Sequence, residues 1–319
     1  MKDLSIIVPA KDEADSLPEL TAWIDRVIRA NAWTYEVIII DDGSEDHTWE
    51  TIKKISASNP AVKGIRFNRN FGKSAALHTG FGESEGAVVI TMDADLQDSP
   101  DEIPALREMV LNQGFDLVSG WKRKRHDPVA KTLPSKFFNL VTRKISGIDL
   151  HDFNCGLKAY RSAVVKNITV YGEMHRYIPL IAKWAGFGRI GEKEVEHRER
   201  KFGKSKYGWE RMMRGFLDLL TITLIGKFIQ RPMHFFGTLG VLSFLAGLGF
   251  TVSLVWQKID SVFISKIPLS REIVDQPIFY FALVALVIGV QLFMTGFLAE
   301  ILTRQAATRR EYLIIERTS

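Results

Sequence analysis

Over the first half of the chain, short apolar runs alternate with amphipathic segments. Residues 4–8, 35–40, 62–67, 86–92 and 115–118 are brief, apolar and rich in β-branched side chains, the pattern of strands buried on both faces. Between them, 17–30 lays Leu17, Leu20, Trp23, Ile24, Val27 and Ile28 along one helical stripe. Segments 48–57, 74–82 and 100–113 read as further helices, the last with Pro100 in its first turn. This alternation predicts an α/β domain, a mostly parallel sheet with helices on both faces. Such sheets bind ligands beyond the carboxyl ends of their strands, so the residues that follow each strand are the candidates for chemistry.

After residue 208 the pattern changes. Apolar runs over 209–231 are punctuated by Arg211, Arg214, Asp218 and Lys227, which predicts amphipathic helices lying in a membrane interface; the alternative is a pair of ordinary core helices. Residues 235–256 then run 22 positions without a charge, and 277–299 run 23. Either is long enough to cross a hydrocarbon layer of about 30 Å as a helix, with a buried helical hairpin as the alternative. The expected organisation is an α/β domain over 1–208, juxtamembrane helices over 209–231 and a two-span anchor over 232–319. Arg211, Arg214, Lys227 and Arg231 precede the first span, and Arg304, Arg309, Arg310 and Arg317 follow the second. The connecting loop holds only Lys258, Lys266 and Arg271, so the α/β domain and the C-terminus are both expected on the cytoplasmic side of an integral membrane protein.

The net charge of +5 suits nucleic acid, an anionic lipid surface or phosphate-bearing substrates. No nucleic-acid-binding motif accompanies it, which leaves membrane lipid and phosphorylated ligands as the expected partners. Cys155 is the lone cysteine, so an intramolecular disulfide and a thiol-only metal site are both excluded. No cleaved signal peptide is expected from the opening residues, which run straight into a strand. Nothing in the pattern sets the oligomeric state, and a homo-oligomer stays open.

The candidate chemistry sits after three strands. Val8-Pro9-Ala10-Lys11-Asp12-Glu13 follows the first and Asp41-Asp42-Gly43-Ser44 the second, where carboxylates and free backbone groups can face a base and ribose. After 86–92 comes Asp93-Ala94-Asp95-Leu96-Gln97. Acidic residues two apart, with a neutral amide oxygen two further on, can offer oxygens to one hard cation, magnesium or manganese, bridging to a diphosphate.

In this order and spacing the three motifs resemble those of the family 2 glycosyltransferases of the GT-A fold. The later runs Asp152-Phe153-Asn154-Cys155-Gly156-Leu157-Lys158 and Arg200-Lys201-Phe202-Gly203-Lys204-Ser205-Lys206, followed by two spans, resemble the polyprenyl-phosphate branch of that family. The resemblance implies inverting transfer of a sugar from a UDP- or GDP-linked donor to a polyprenyl phosphate at the cytoplasmic membrane face. It implies that Pro9, Lys11, Glu13, Asp41 and Asp42 line the nucleotide pocket, that Asp93 and Ala94 meet the donor, and that Asp95 and Gln97 hold the metal. Arg200 and Lys206 match a phosphate-contacting pair; the alternative for this basic run is a solvated loop on lipid headgroups. Lys122, with Arg123 beside it, stands where many relatives carry an arginine, keeping the charge but losing the bidentate fork. Asp152, with Asp93, Asp95 and Arg200, is expected at the reacting centre, and Asn154 and Arg123 at the acceptor. An equal alternative has Asp152 capping the turn at Cys155-Gly156.

An acceptor that is already a phosphate needs little deprotonation, so no strong general base is required. A processive polysaccharide synthase would carry more spans and a Gln-x-x-Arg-Trp motif, and this sequence has neither. A non-enzymatic scaffold would tolerate loss of Asp93, Asp95 and Gln97, which are intact. The remaining rival is a membrane-bound transferase acting on a hydroxyl of a glycan or glycolipid.

Overall fold

A computed structural model of the chain describes residues 2–123, 139–144, 146–172, 174–198, 232–267 and 271–306. The chain divides into two compact units, Met1–Leu220 and Thr221–Ser319.

The first unit is built on a seven-stranded sheet in the order β3-β2-β1-β4-β6-β5-β7. Its strands are β1 (Lys2–Ala10), β2 (Tyr35–Asp41), β3 (Val62–Arg66), β4 (Gly86–Thr91), β5 (Leu117–Trp121), β6 (Lys158–Arg161) and β7 (Ile190–Glu194). The helices are α1 (Leu17–Ala30), α2 (Thr48–Ser58), α3 (Lys73–Glu83), α4 (Ile103–Leu111), α5 (Ser162–Asn167) and α6 (Ile178–Trp184). Strands β1, β2, β3 and β4 run parallel, as do β5 and β7, while β6 pairs antiparallel with both β4 and β5.

Alternate side chains of the central strands divide between two cores. Leu4, Ile6 and Val8 of β1 join Val37 and Ile39 of β2 under Leu20 and Ile24 of α1. Ile7, Ile38 and Ile40 face the other way, against Ala76, Leu77 and Phe81 of α3 and Val164 of α5. Two apolar faces per strand require two helical layers, which is the physical origin of the three-layer architecture. The strands and helices expected before residue 114, and the strand expected near 115–118, are present, and the expected α/β sheet covered on both faces is the observed one. Two strands were not foreseen. Lys158-Ala159-Tyr160-Arg161 (β6) and Ile190-Gly191-Glu192-Lys193-Glu194 (β7) are short and carry charged residues at positions where a buried strand is usually apolar.

The second unit contains α7 (Thr238–Ile259), extended by π-helical turns at Met233–Gly237 and Asp260–Ile264, and α8 (Pro277–Ala306). Both helices are long and apolar enough to cross a membrane. They pack closely through small residues: a Cβ on Gly240 would stand 2.7 Å from Gly289 O, and one on Gly247 2.9 Å from Ala282 O. Backbone contact of this kind lets helices associate where no hydrophobic drive operates between them. The expected interfacial helices over 209–231 lie outside the described residues.

Candidate active site

Because β6 runs against its neighbours, its first residue arrives at the edge where the other strands end. Lys158 stands opposite Thr91 of β4 and Ser119 of β5. The loop that feeds β6, residues 151–157, is thereby delivered to the carboxyl edge beside Asp93. Lys158 is buried, and its Nζ donates to Phe153 O at 3.2 Å and to Cys155 O. Burial pulls its pKa below the ordinary lysine value. This lysine pins the turn of the loop from beneath.

On the β1–β2 side the expected residues are brought together, mostly as builders of the wall. Pro9 stands in register with Ile40, and Ala10 with Asp41. The Asp41 carboxylate is fully buried; Ser44 N–H donates to its Oδ1 at 2.9 Å, and Arg66 Nε lies 3.3 Å from its Oδ2. Asp42 accepts from Phe71 N–H at 2.7 Å and Gly72 N–H at 3.0 Å, which fixes the loop leading into α3. Glu13 accepts from the Ser16 hydroxyl at 2.8 Å, and Lys11 donates to Gly43 O at 3.1 Å. Between these loops lies an open cavity of about 550 Å³, lined by Lys11, Gly43, Ser44 and Glu45 and by the 66–70 segment with its arginines Arg66 and Arg69. Its size is in the range of pockets that take small organic ligands.

Asp93 sits at the centre of the edge. Its carboxylate is ion-paired with Lys73, the first residue of α3, and is about one third exposed. Burial alone would raise its pKa, but the charges of Lys73 and then Lys122 outweigh that and hold it below the usual carboxylate range. Gly156 also packs closely against it: a Cβ there would stand 2.5 Å from Asp93 Oδ2. The Thr91 hydroxyl holds Gly156 in place by donating to its carbonyl at 2.9 Å.

Ala94 is buried, and Asp95 is 7% exposed and accepts from Gln97 N–H at 3.2 Å, with Leu96 between them in the left-handed region at φ 61°. Asp93, Asp95 and Gln97 offer carboxylate and amide oxygens from one loop, the donor type that magnesium and manganese take. Among the described residues no cluster of three or more His, Cys, Asp or Glu assembles a metal site unaided. A cation here would draw the rest of its coordination from water and ligand oxygens, as these two ions ordinarily do.

Lys122 does not project alone from the end of β5. Its Nζ lies 2.6 Å from Oδ1 of Asp98, whose carboxylate is fully buried. Burial pulls the lysine's pKa down, yet the surrounding negative groups, Asp98 foremost and Asp93 with it, together outweigh this, and the net shift is upward. Arg123 is exposed, 3.4 Å from Glu194 Oε2.

Glu192 of β7 organises the loop before β6. One oxygen accepts from His151 N–H at 2.8 Å and Asp152 N–H at 3.0 Å, and the other lies 2.7 Å from His151 Nδ1. The imidazole stacks on Trp121 with ring centroids 4.3 Å apart. Asp152 is buried, and its Oδ1 accepts from Asn154 N–H at 3.0 Å, a local side-chain turn one residue short of the expected cap at Cys155-Gly156. Asn154 Nδ2 lies 3.4 Å from Asn139 Oδ1. Arg200 and Lys206 lie outside the described residues. The segment leading towards them does reach the site, since Arg198 N–H donates to Gln97 O at 3.0 Å and Gln97 Nε2 to Arg198 O at 3.4 Å.

Lys73, Asp98, His151 and Glu192 escaped the sequence reading. Lys73 carried a signal: a cation at the first position of a helix is disfavoured by the helix dipole, and such a local conflict marks a residue placed for another reason. The others are ordinary surface-type charges whose partners are remote in sequence.

Residues 5–169 match the family model described as glycosyl transferase family 2. The dodecaprenyl-phosphate galacturonate synthase of Rhizobium johnstonii is 35% identical over 305 residues, covering 95% of this chain and 88% of that protein. The undecaprenyl-phosphate 4-deoxy-4-formamido-L-arabinose transferase of Aeromonas hydrophila is 34% identical, covering 95% and 89%. Among solved structures, the mannosyl-3-phosphoglycerate synthase of Rubrobacter xylanophilus superposes with a TM-score of 0.58 at 18% identity, covering 71% of this chain and 75% of that one. The glucosyl-3-phosphoglycerate synthase of Mycobacterium tuberculosis, in complex with Mn2+ and UDP-glucose, gives 0.54 at 18% identity, covering 70% and 79%. At that identity the two structures establish the shared fold, and the sequence matches establish the lineage: the chain belongs to glycosyl transferase family 2.

Proposed function

We propose that this enzyme transfers a sugar from a nucleotide-sugar to a polyprenyl phosphate at the cytoplasmic face of a membrane, using Mg2+ or Mn2+ and inverting the anomeric carbon. The observation that carries the reading is the convergence on Asp93 of Lys73, Gly156 and the Asp95–Gln97 loop, in a chain alignable almost end to end with two polyprenyl-phosphate sugar transferases. The two long apolar helices support a lipid-borne acceptor.

In this reading the cavity beside Lys11 receives the nucleotide, and Asp95 and Gln97 would hold a cation, which when bound would supply positive charge against the leaving diphosphate. Asp93, kept ionised and aimed by Lys73, orients the donor sugar. Arg200 and Lys206 add positive charge at the same diphosphate. The acceptor phosphate is itself the nucleophile, so the chain needs groups that align it more than a base that deprotonates it. Asn154 and Arg123 are assigned to that alignment, and Asp152 to shaping their loop. The positive flanks support a cytoplasmic α/β unit and C-terminus, on the side where nucleotide-sugars are made.

The test is incubation of membranes containing the full chain with a panel of labelled nucleotide-sugars and polyprenyl phosphate, followed by organic extraction. Label in an extractable product that mild acid releases as free sugar supports the reading. Label confined to a glycan or glycolipid that survives mild acid would move the assignment to a hydroxyl acceptor.

A further inference from the structure

We infer that Lys122 acts through Asp98 as a positioning residue, clamping the Asp93–Gln97 loop in register, and makes no direct contact with the donor. The inference rests on the reading of that loop as the cation and diphosphate loop. It departs from the sequence expectation, which put Lys122 on the nucleotide-sugar.

Three observations support it. Lys122 Nζ lies 2.6 Å from Asp98 Oδ1, with the lysine side chain 12% exposed and the carboxylate fully buried. Asp98 follows Gln97 directly, so the ion pair ties the end of the loop to the end of β5. On its other side the same segment is bridged to the segment after β7, Asp98 pairing with His197 in an isolated bridge and Arg198 N–H donating to Gln97 O. The loop is thus held at once from the end of β5 and from the segment after β7. Arg198, two residues before Arg200, links that clamp to the basic run.

A buried ion pair is a poor way to add stability, since desolvation of the two charges consumes most of their attraction. Asp98 Oδ2 is buried with no hydrogen-bond partner among the described residues, which makes the pair costlier still. What such a pair supplies is a fixed distance. Two charges that cannot separate without each being stranded in a dry environment hold their backbones in one arrangement. Groups behind metal ligands commonly set cation affinity about 10- to 100-fold without touching the ion.

The test uses the full chain in detergent and Mn2+ as the probe, with free Mn2+ read by electron paramagnetic resonance in the presence of UDP or GDP. Thermal unfolding is followed in parallel. Asp98→Asn and Lys122→Met should each weaken Mn2+ binding about tenfold. The double variant should be no weaker than the worse single, because both changes break one device. UDP or GDP affinity measured without metal should stay within about threefold of wild type in all three. If either single variant does not fold, the double, which leaves no buried charge stranded, decides. Wild-type Mn2+ affinity in Asp98→Asn or in the double overturns the inference, as does multiplication of the two effects. Loss of metal-free nucleotide affinity in Lys122→Met alone overturns it in favour of direct donor contact. Absence of Mn2+ binding by the wild-type chain would instead defeat the cation assignment itself. The anchor is then read from unfolding, where additive destabilisation by the two changes overturns it and recovery in the double sustains it.

Discussion

Gly156→Ala isolates the geometry around Asp93. Gly156 does not occupy the left-handed region, so alanine fits its backbone without strain, and the change can be charged to contact alone. The added Cβ would stand 2.5 Å from Asp93 Oδ2, 2.6 Å from Cγ and 2.8 Å from Oδ1, whereas ordinary contact begins at 3.4 Å. The carboxylate must therefore retreat by about 1 Å, and its ion pair with Lys73 must shift with it. A displacement of that size at a reacting centre costs about 100-fold in rate. Overpacking costs about 1–3 kcal/mol, and the lower entropy of the unfolded alanine chain returns about 0.4–1 kcal/mol. The net loss, about 1–2 kcal/mol, lowers the unfolding midpoint by a few degrees without unfolding the enzyme at assay temperature. The assay is steady-state transfer to polyprenyl phosphate beside a melting curve in the same detergent. Turnover and kcat/KM should fall together, since the lost alignment matters most in the transition state. A variant retaining turnover within about threefold of wild type would refute the placing of Asp93 at the reacting centre.

Five further outcomes are expected. Asp95→Ala should abolish Mg2+- or Mn2+-dependent transfer with little change in melting, and near-wild-type turnover would remove it from the cation site. Lys73→Met should lower kcat about 10- to 100-fold, with Lys73→Arg restoring part of it; equal loss in both would point to a role for lysine other than its charge on Asp93. Buried Glu36 is titrated near pH 2 in the folded chain against an ordinary 4.5, because hydrogen bonds from Lys2, Ser5 and Lys63 overcome the cost of burial. Its stabilisation, roughly 2–3 kcal/mol, is complete above about pH 4.5 and is lost as pH falls towards 2; unfolding of Glu36→Gln that keeps the wild-type pH dependence over that window would contradict this. Burial pushes the Cys155 thiol up to about 12, so the native cysteine should resist thiol reagents at neutral pH. In that background a cysteine at Ser261 should react with an impermeant reagent from outside intact cells and one at Ser319 should not, and the reverse pattern would invert the topology.

The sequence alone determined the elements whose signal is local. Residues 4–8, 35–40 and 86–92 are apolar on both faces, which leaves a strand between two helical layers as the one arrangement that buries them. The two long apolar helices are legible for the same reason, because an uncharged run of more than 20 residues would satisfy its backbone in a membrane only as a helix. Acidic residues just beyond such strands fell at the carboxyl edge once the sheet was parallel, so Asp41, Asp42, Asp93 and Asp95 could be placed before any coordinates. What those side chains touch was decided by the tertiary structure. Asp41 and Asp42, expected to line the nucleotide pocket, also accept from backbone amides of loops that they shape, and Arg66 lies against Asp41. Lys122 looked like a free cation and has a buried partner. Lys73, Gly156 and Glu192 meet the site across the sheet from positions far away in sequence, and no periodicity records such meetings. The reversed strand β6 is the decisive case: four residues with charged ends carry little strand propensity of their own. Their place between β4 and β5 is fixed by backbone pairing and by Tyr160 filling the core, a long-range energy that appears only when the sheet has closed around it.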